Sequence, residues 1–295
     1  IGNPVDIVIP PDATQDIREE AIRKLGLDRP LWEQYWIFVT NALQGDFGRS
    51  FVYNIPVLEL IGSRLPATLE LVLISVVSAT VLGVALGIYA GYKPDSWVSK
   101  TIMAVSVLGF SVPSFWVGLI LILTFAVNLG MLPAGGRGDT VTVFGVEWSF
   151  LTINGLSHLL LPATNLALFK LAMMIRLARA GTREVMLTDT IRFARAAGLS
   201  EGTIIRRHVM KLISIPIVTV FGLELGSTLA FAVVTETIFS WPGLGKLIID
   251  SITLLDRPVM VAYLILTAAL FVTINFTVDL VFALIDPRIR SRRAT

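Results

Sequence analysis

Four ionisable side chains stand where charge is expensive. Lys170, Glu224, Glu236 and Asp279 interrupt long stretches that otherwise hold no Asp, Glu, Lys or Arg. At the centre of a bilayer such a charge costs about 2.5–3.5 kcal/mol on insertion scales, so its presence points to a polar pathway, a partner charge or a partner protein. With the orientation argued below, Lys170 and Glu224 lie in the inner halves of their stretches. Their signs are opposite, and they are candidates to pair or to face a cavity or a partner subunit. Glu236 lies near an outer end and Asp279 one to two turns from an inner end. Glu70 stands at an outer end, from which it is expected to reach the interface. Other chemistry is excluded. The chain has no Cys, which removes disulfides, thiolate metal sites and Cys nucleophiles. Its two His, His158 and His208, form no nucleophile–base constellation. Gly245-Lys246 is no phosphate loop, because Ser240 replaces the required upstream Gly and Leu247 the required Ser or Thr. No ATP site, no metal and no catalytic residue is expected in this chain.

The elements that hold these residues are membrane helices. Apolar residues make up 54% of the 295 and charged residues 16%, against about 25% charged in soluble domains. About 20 apolar residues cross a bilayer as a helix. Five spans are expected, at about 68–92, 102–127, 158–178, 213–238 and 259–285. The segments 93–101, 176–212 and 286–295 carry 14 Lys and Arg; the longer set 1–67, 128–157 and 239–258 carries 9. Positive charge concentrates on the cytoplasmic side. This places residues 1–67 outside, the loop 176–212 inside and the basic tail 286–295 inside, with 68–285 as the membrane domain. An exported N-terminal region with no membrane helix ahead of it predicts a sixth, N-terminal span that this sequence lacks.

Outside, two short helices are expected in 1–67. Thr14 can cap the first, and Gly26 can end it. Pro30 opens the second, whose Leu31, Trp32, Tyr35, Trp36, Val39 and Leu43 form an apolar stripe suited to the outer interface. The alternation in 140–150 around Phe144-Gly145 predicts a β-hairpin. Gly83, Gly87 and Gly91 repeat every four residues and form one small face for close helix packing. Pro113 and Pro216 remove helix hydrogen bonds and are candidate kinks or gates.

Inside, 176–212 reads as helix, elbow, helix. Arg183 to Ala197 favours helix, Gly198 suits a left-handed helix end, and Ser200 can cap the next helix with Glu201 in its first turn. Small and apolar Ala196, Ala197, Gly198 and Leu199 sit among arginines, where a partner's backbone can approach closely. A DNA-binding helix-turn-helix is disfavoured because both ends are tethered to spans; a merely solvated basic loop is the plainer alternative.

Arg195-Ala196-Ala197-Gly198-Leu199-Ser200, followed by His208, Ile215-Pro216 and Val218-Thr219, resembles the cytoplasmic coupling loop of ABC-importer permeases of the dipeptide, oligopeptide and nickel branch. The resemblance covers nearly the whole chain. It includes Leu25-Gly26-Leu27-Asp28, Pro30-Leu31-Trp32, Gly45-Asp46-Phe47-Gly48, Pro113-Ser114-Phe115-Trp116, Leu132-Pro133-Ala134, Leu161-Pro162-Ala163, Glu236-Thr237, Ser240, Pro242-Gly243-Leu244-Gly245 and Asp286-Pro287-Arg288-Ile289-Arg290. The general permease loop begins Glu-Ala-Ala; here Arg192 and Phe193 hold the first two positions, only Ala194 matches, and Pro216 comes five residues late. The resemblance implies an all-α polytopic membrane protein with the type I ABC-importer transmembrane fold, in a bacterial inner membrane with its C-terminus cytoplasmic. It implies half of a translocation pathway for short peptides. The implied partners are a second, different permease chain, two ATP-binding subunits that bind ATP and Mg and grip residues 195–201, and an external solute-binding protein. Nucleic acid is not among them. ATP-driven closure of the ATPases would then turn the cavity from inward-facing to outward-facing. Nickel or another small solute is the runner-up cargo. An ion-coupled secondary transporter using Glu224, Glu236 and Asp279 is the rival of another class; it predicts an internal repeat, and none is evident. A membrane enzyme lacks a nucleophile and base.

Overall fold

The computed structural model of the chain describes residues 14–24 and 28–285. The predicted cap at Gly26 and the basic tail lie outside them. Two short helices come first, α1 (Gln15–Lys24) and α2 (Leu31–Leu43). α3 (Val57–Tyr92) is the first long helix. Its start, predicted near 68, lies eleven residues earlier. Val57, Leu60 and Ile61 of these extra turns pack with Leu244, Leu247, Ile248, Val259 and Ala262. Glu59 and Arg64 break the apolar run there and hid the turns from a search for uncharged stretches.

The predicted single span at 102–127 is corrected to a bent pair. α4 (Trp97–Ser111) stops at Val112, and α5 (Ser114–Leu121) continues through π-helical turns at Ile122–Asn128. The two axes differ by 107°. The cause is Pro113, which has no N–H to continue the helix and forces Val112 into extended backbone, φ −96° and ψ 132°. A hairpin follows, β1 (Val141–Val143) against β2 (Val146–Trp148). Phe144 and Gly145 have φ of 52° and 78°, the two positive values that a two-residue hairpin turn with the right twist requires.

α6 (Ile153–Met186) is capped by Thr152, whose hydroxyl accepts from the Gly155 N–H. The helix predicted over 183–197 is divided: α6 ends at Met186 and α7 (Asp189–Ala196) begins after Thr188, whose hydroxyl turns back onto the Val185 carbonyl. α8 (Glu201–Ile204) passes through π-helical turns at Ile205–Val209 into α9 (Met210–Phe231). α10 (Val233–Ile238), α11 (Leu244–Thr253) and α12 (Arg257–Ile285) complete the order. Among the described residues four helical stretches are continuous, long and apolar enough to cross a membrane, and the bent α4–α5 pair makes a fifth.

Apolar burial does little to hold helices together in lipid, because lipid tails are as apolar as leucine; close packing and polar contacts must do it. Both are present. A Cβ on Gly83, Gly87 or Gly91 would fall 2.5–2.7 Å from the Cβ of Met174, Ala178 or Thr182, so the glycine face lets α3 lie directly on α6. Polar clamps tie down the outer end. Glu70 is 1% exposed, which corrects the expectation that it reaches the interface. Its carboxylate accepts from the Arg137 guanidinium (2.8 Å), the Ser149 N–H and hydroxyl (2.8 Å each) and the Phe150 N–H (2.6 Å). The external segment therefore folds down over α3. Asp256, fully buried, takes the Ser50 hydroxyl and the Phe51 and Val52 N–H groups, which pins the segment before α3 to the start of α12.

Candidate functional site: a coupling elbow and a charged cavity

The elbow is built by local rules. Ala197 ends α7, and Gly198 follows at φ +81°. The Leu199 N–H reaches the Ala194 carbonyl (3.1 Å) and the Gly198 N–H reaches the Arg195 carbonyl (2.9 Å). This pair of bonds is the Schellman helix end. Two residues later the Ser200 hydroxyl accepts from the Thr203 N–H, capping α8. The Arg195 guanidinium then spans the corner to Glu201, Nε–Oε1 2.8 Å and a second contact of 3.3 Å. That hydrogen bond, with Tyr92 of α3 in reach, holds the Glu201 carboxyl below its ordinary range and raises Arg195 above its own.

Underneath, the elbow is packed onto its helices. Ile191 and Ala194 of α7 and Ile204 of α8 are buried with Ala178 and Val185 of α6 and with Val209, Ile213 and Ile217 along the start of α9. The elbow is thus joined by packing to α6 and α9 together. On its outer side Phe193 is 76% and Leu187 70% exposed. Exposed large apolar groups beside a basic helix end are what a protein partner covers.

The same two helices carry the predicted charge pair. Lys170 of α6 and Glu224 of α9 meet, Nζ–Oε2 2.7 Å, with side chains 11% and 15% exposed. Ser227 is the next polar neighbour of that carboxylate (3.4 Å). Lys170 also lines a cavity of about 430 Å³ with Pro113, Ser114, Asn165, Phe231 and Thr235. Asn165 is 3% exposed and donates to the Thr235 hydroxyl (2.9 Å), while its Oδ1 has no partner.

Residues 83–291 match the family model described as binding-protein-dependent transport system inner membrane component. The chain belongs to this family. It is 39% identical to the di/tripeptide transport system permease protein DppB of Pseudomonas aeruginosa, over 99% of this chain and 91% of that one. It is 39% identical to the oligopeptide transport system permease protein AppB of Bacillus subtilis (98% and 90%), and 38% identical to the glutathione transport system permease protein GsiC of Escherichia coli K12 (98% and 89%). Among solved structures, the inward-facing MetNI methionine ABC transporter superposes with a TM-score of 0.61 at 16% identity, over 78% of this chain and 97% of that one. An all-α, multi-pass, ABC-importer permease fold is thereby shown. Such permeases are transport subunits that work with ATPase and substrate-binding partners.

Within this permease Glu236 makes its contacts apart from the Lys170–Glu224 pair. Glu236, 0% exposed, accepts from the Thr68 hydroxyl (2.7 Å) and the Lys246 N–H (3.0 Å). Its carboxyl group meets the first turn of α11 through the Lys246 N–H. A Cβ on Gly243 would fall 2.5 Å from it, which accounts for the glycine of the Pro-Gly-Leu-Gly run. Asp279 is on α12, and its side chain is outside the described residues. Pro113 stands at the α4–α5 break beside the cavity, whereas α9 continues through Pro216. Sequence reasoning missed Asn165, the exposed Phe193, and the Glu70–Arg137 and Asp256 clamps. Arg137 was the available signal, as the one basic residue in 128–157.

Proposed function

We propose that this chain is one permease subunit of an ATP-driven importer of short peptides. The elbow at 187–201 carries the proposal: an exposed apolar and basic surface mounted rigidly on α6 and α9, in a family that works with ATPases, with relatives named for di/tripeptide, oligopeptide and glutathione transport. Glutathione is itself a tripeptide, so all three names point to one substrate class. In this reading the elbow and the C-terminus are cytoplasmic. Two ATPase subunits bind ATP and Mg and seat on Arg195 to Glu201 and on Phe193. A second, different permease chain completes the pathway, a solute-binding protein delivers peptide from outside, and this chain hydrolyses nothing itself. Lys170 and Glu224 face the pathway, and Pro113 lets the α4–α5 corner move beside it. The test is purification in mild detergent followed by reconstitution. The expected result is co-purification of two ATPase subunits and a second permease, and peptide uptake that stops without ATP. Uptake driven by an ion gradient with no ATPase present contradicts the proposal.

A further inference from the structure

The cavity beside the α4–α5 corner is shaped and lined like a small-ligand site: about 430 Å³, mostly apolar, with a few convergent polar groups. Two of these groups are unspent. The buried Asn165 Oδ1 has no donor, a costly condition for a buried acceptor. Lys170 spends one of its three N–H donors on Glu224. Both residues are on α6, five positions apart, about 7.5 Å along the axis. Both side chains line the same cavity. A free acceptor and a cation in one cavity call for a ligand that offers an N–H close to an anion. The C-terminal end of a peptide has that arrangement, its last amide N–H and its carboxylate separated by one Cα.

We propose that Lys170 is the specificity residue for the free C-terminal carboxylate of the transported peptide, with Asn165 accepting its last amide N–H. This rests on the importer reading above and adds to it the end of the peptide that is read. Glu224 holds Lys170 in place when the cavity is empty, as the counter-charge beside it. The peptide carboxylate takes over that role, and Glu224 retains Ser227. A C-terminal amide has no charge to offer, so it leaves Lys170 with Glu224 and gains no ion pair.

The test is the ratio of ATP-dependent uptake of trialanine to uptake of trialanine amide, measured in proteoliposomes holding the whole complex with its binding protein. Any preference of the binding protein is common to every complex and divides out between them. Replacing the pair by apolar groups of similar volume, Lys170→Met with Glu224→Met, is expected to lower the ratio about tenfold, the scale of one charge-assisted hydrogen bond. Lys170→Arg is expected to keep it. An unchanged ratio in the double variant, or an equal loss in Lys170→Arg, overturns the proposal. A second measurement needs no variant: a benzophenone-bearing tripeptide irradiated during turnover of the native complex should label the cavity walls at 109–117 or 165–170, and its amide should not. Equal labelling by both, or labelling elsewhere, also overturns it. Absence of ATP-dependent uptake of either peptide by the native complex defeats the importer reading itself, whereas uptake with an unmoved ratio defeats this inference alone.

Discussion

The hairpin end and the elbow end of this permease hold their chains by opposite means. At the hairpin end, Glu70, Glu236 and Asp256 are at most 1% exposed, and each collects N–H and hydroxyl donors from a separate segment. At the elbow end, the corner at Gly198 is closed by a helix-end motif and by the Arg195–Glu201 pair, whose side chains are 43% and 41% exposed. A buried carboxylate with four donors cannot be released cheaply, because any partial loss strands charge in a dry site. A half-exposed pair contributes little to stability and exchanges readily with water or a partner. The hairpin end is therefore a fixed platform, and the elbow end is a rigid but accessible handle.

The contrast sets an order of expected effects. The largest belongs to the platform: Glu70→Ala strands Arg137 and three further donors, and should cost about 3–5 kcal/mol, seen as a large drop in detergent unfolding temperature. An unmoved transition would mean that the clamp is ornamental. Next is the α3–α6 seam. Gly87→Leu places its Cβ 2.6 Å from the Ile175 carbonyl oxygen, and overpacking of this kind costs roughly 1–3 kcal/mol, measurable by the same unfolding assay. At the handle, Gly198→Ala forces a left-handed residue to carry a side chain, at roughly 1–2 kcal/mol. Its larger consequence is expected in peptide-stimulated ATP hydrolysis, which should fall further than stability does. The smallest effect on folding is that of Phe193→Ala, within about 0.5 kcal/mol for an exposed site. ATPase subunits should nonetheless dissociate about tenfold more readily, as when an aromatic anchor is removed from an interface. If Phe193→Ala unfolds the protein and leaves assembly intact, the two ends have been assigned the wrong way round.

The handle also makes a statement about pH. Arg195 holds the Glu201 carboxyl below its ordinary value of 4.5. A depressed carboxylate contributes stability that is complete above the ordinary value and fades as pH falls through the lowered one. Coupled ATP hydrolysis should thus show no inflection from this pair between about pH 6 and pH 8. Glu201→Gln should leave that profile flat, and a new inflection in the variant would show that the pair does something else.

What the sequence disclosed followed from local chemistry. Gly198 and Ser200 gave the elbow because a left-handed helix end and a helix cap each need few residue types. Phe144-Gly145 gave the hairpin for the same reason. Lys170 and Glu224 were legible because charge inside an apolar run is conspicuous, and opposite signs invited the pairing that the structure contains. What stayed hidden was long-range. Nothing near Glu70 announces Ser149 and Phe150, some 80 residues away. The early turns of α3 were masked by Glu59 and Arg64, because a search for uncharged runs cannot see a helix that packs on protein rather than lipid. Pro113 marked a weak point, but the 107° corner depends on what α5 packs against.

The central claim is that the elbow is seated on an energy-supplying partner and moves α6 and α9 with it. Because the chain has no Cys, Phe193→Cys introduces the single thiol of this subunit, to which a short crosslinker is attached before the complex is assembled. The account predicts capture of a nucleotide-hydrolysing subunit, with a yield that changes between nucleotide-free and ATP-bound complexes. Failure to capture that subunit in either state, with a thiol that reacts freely, contradicts it.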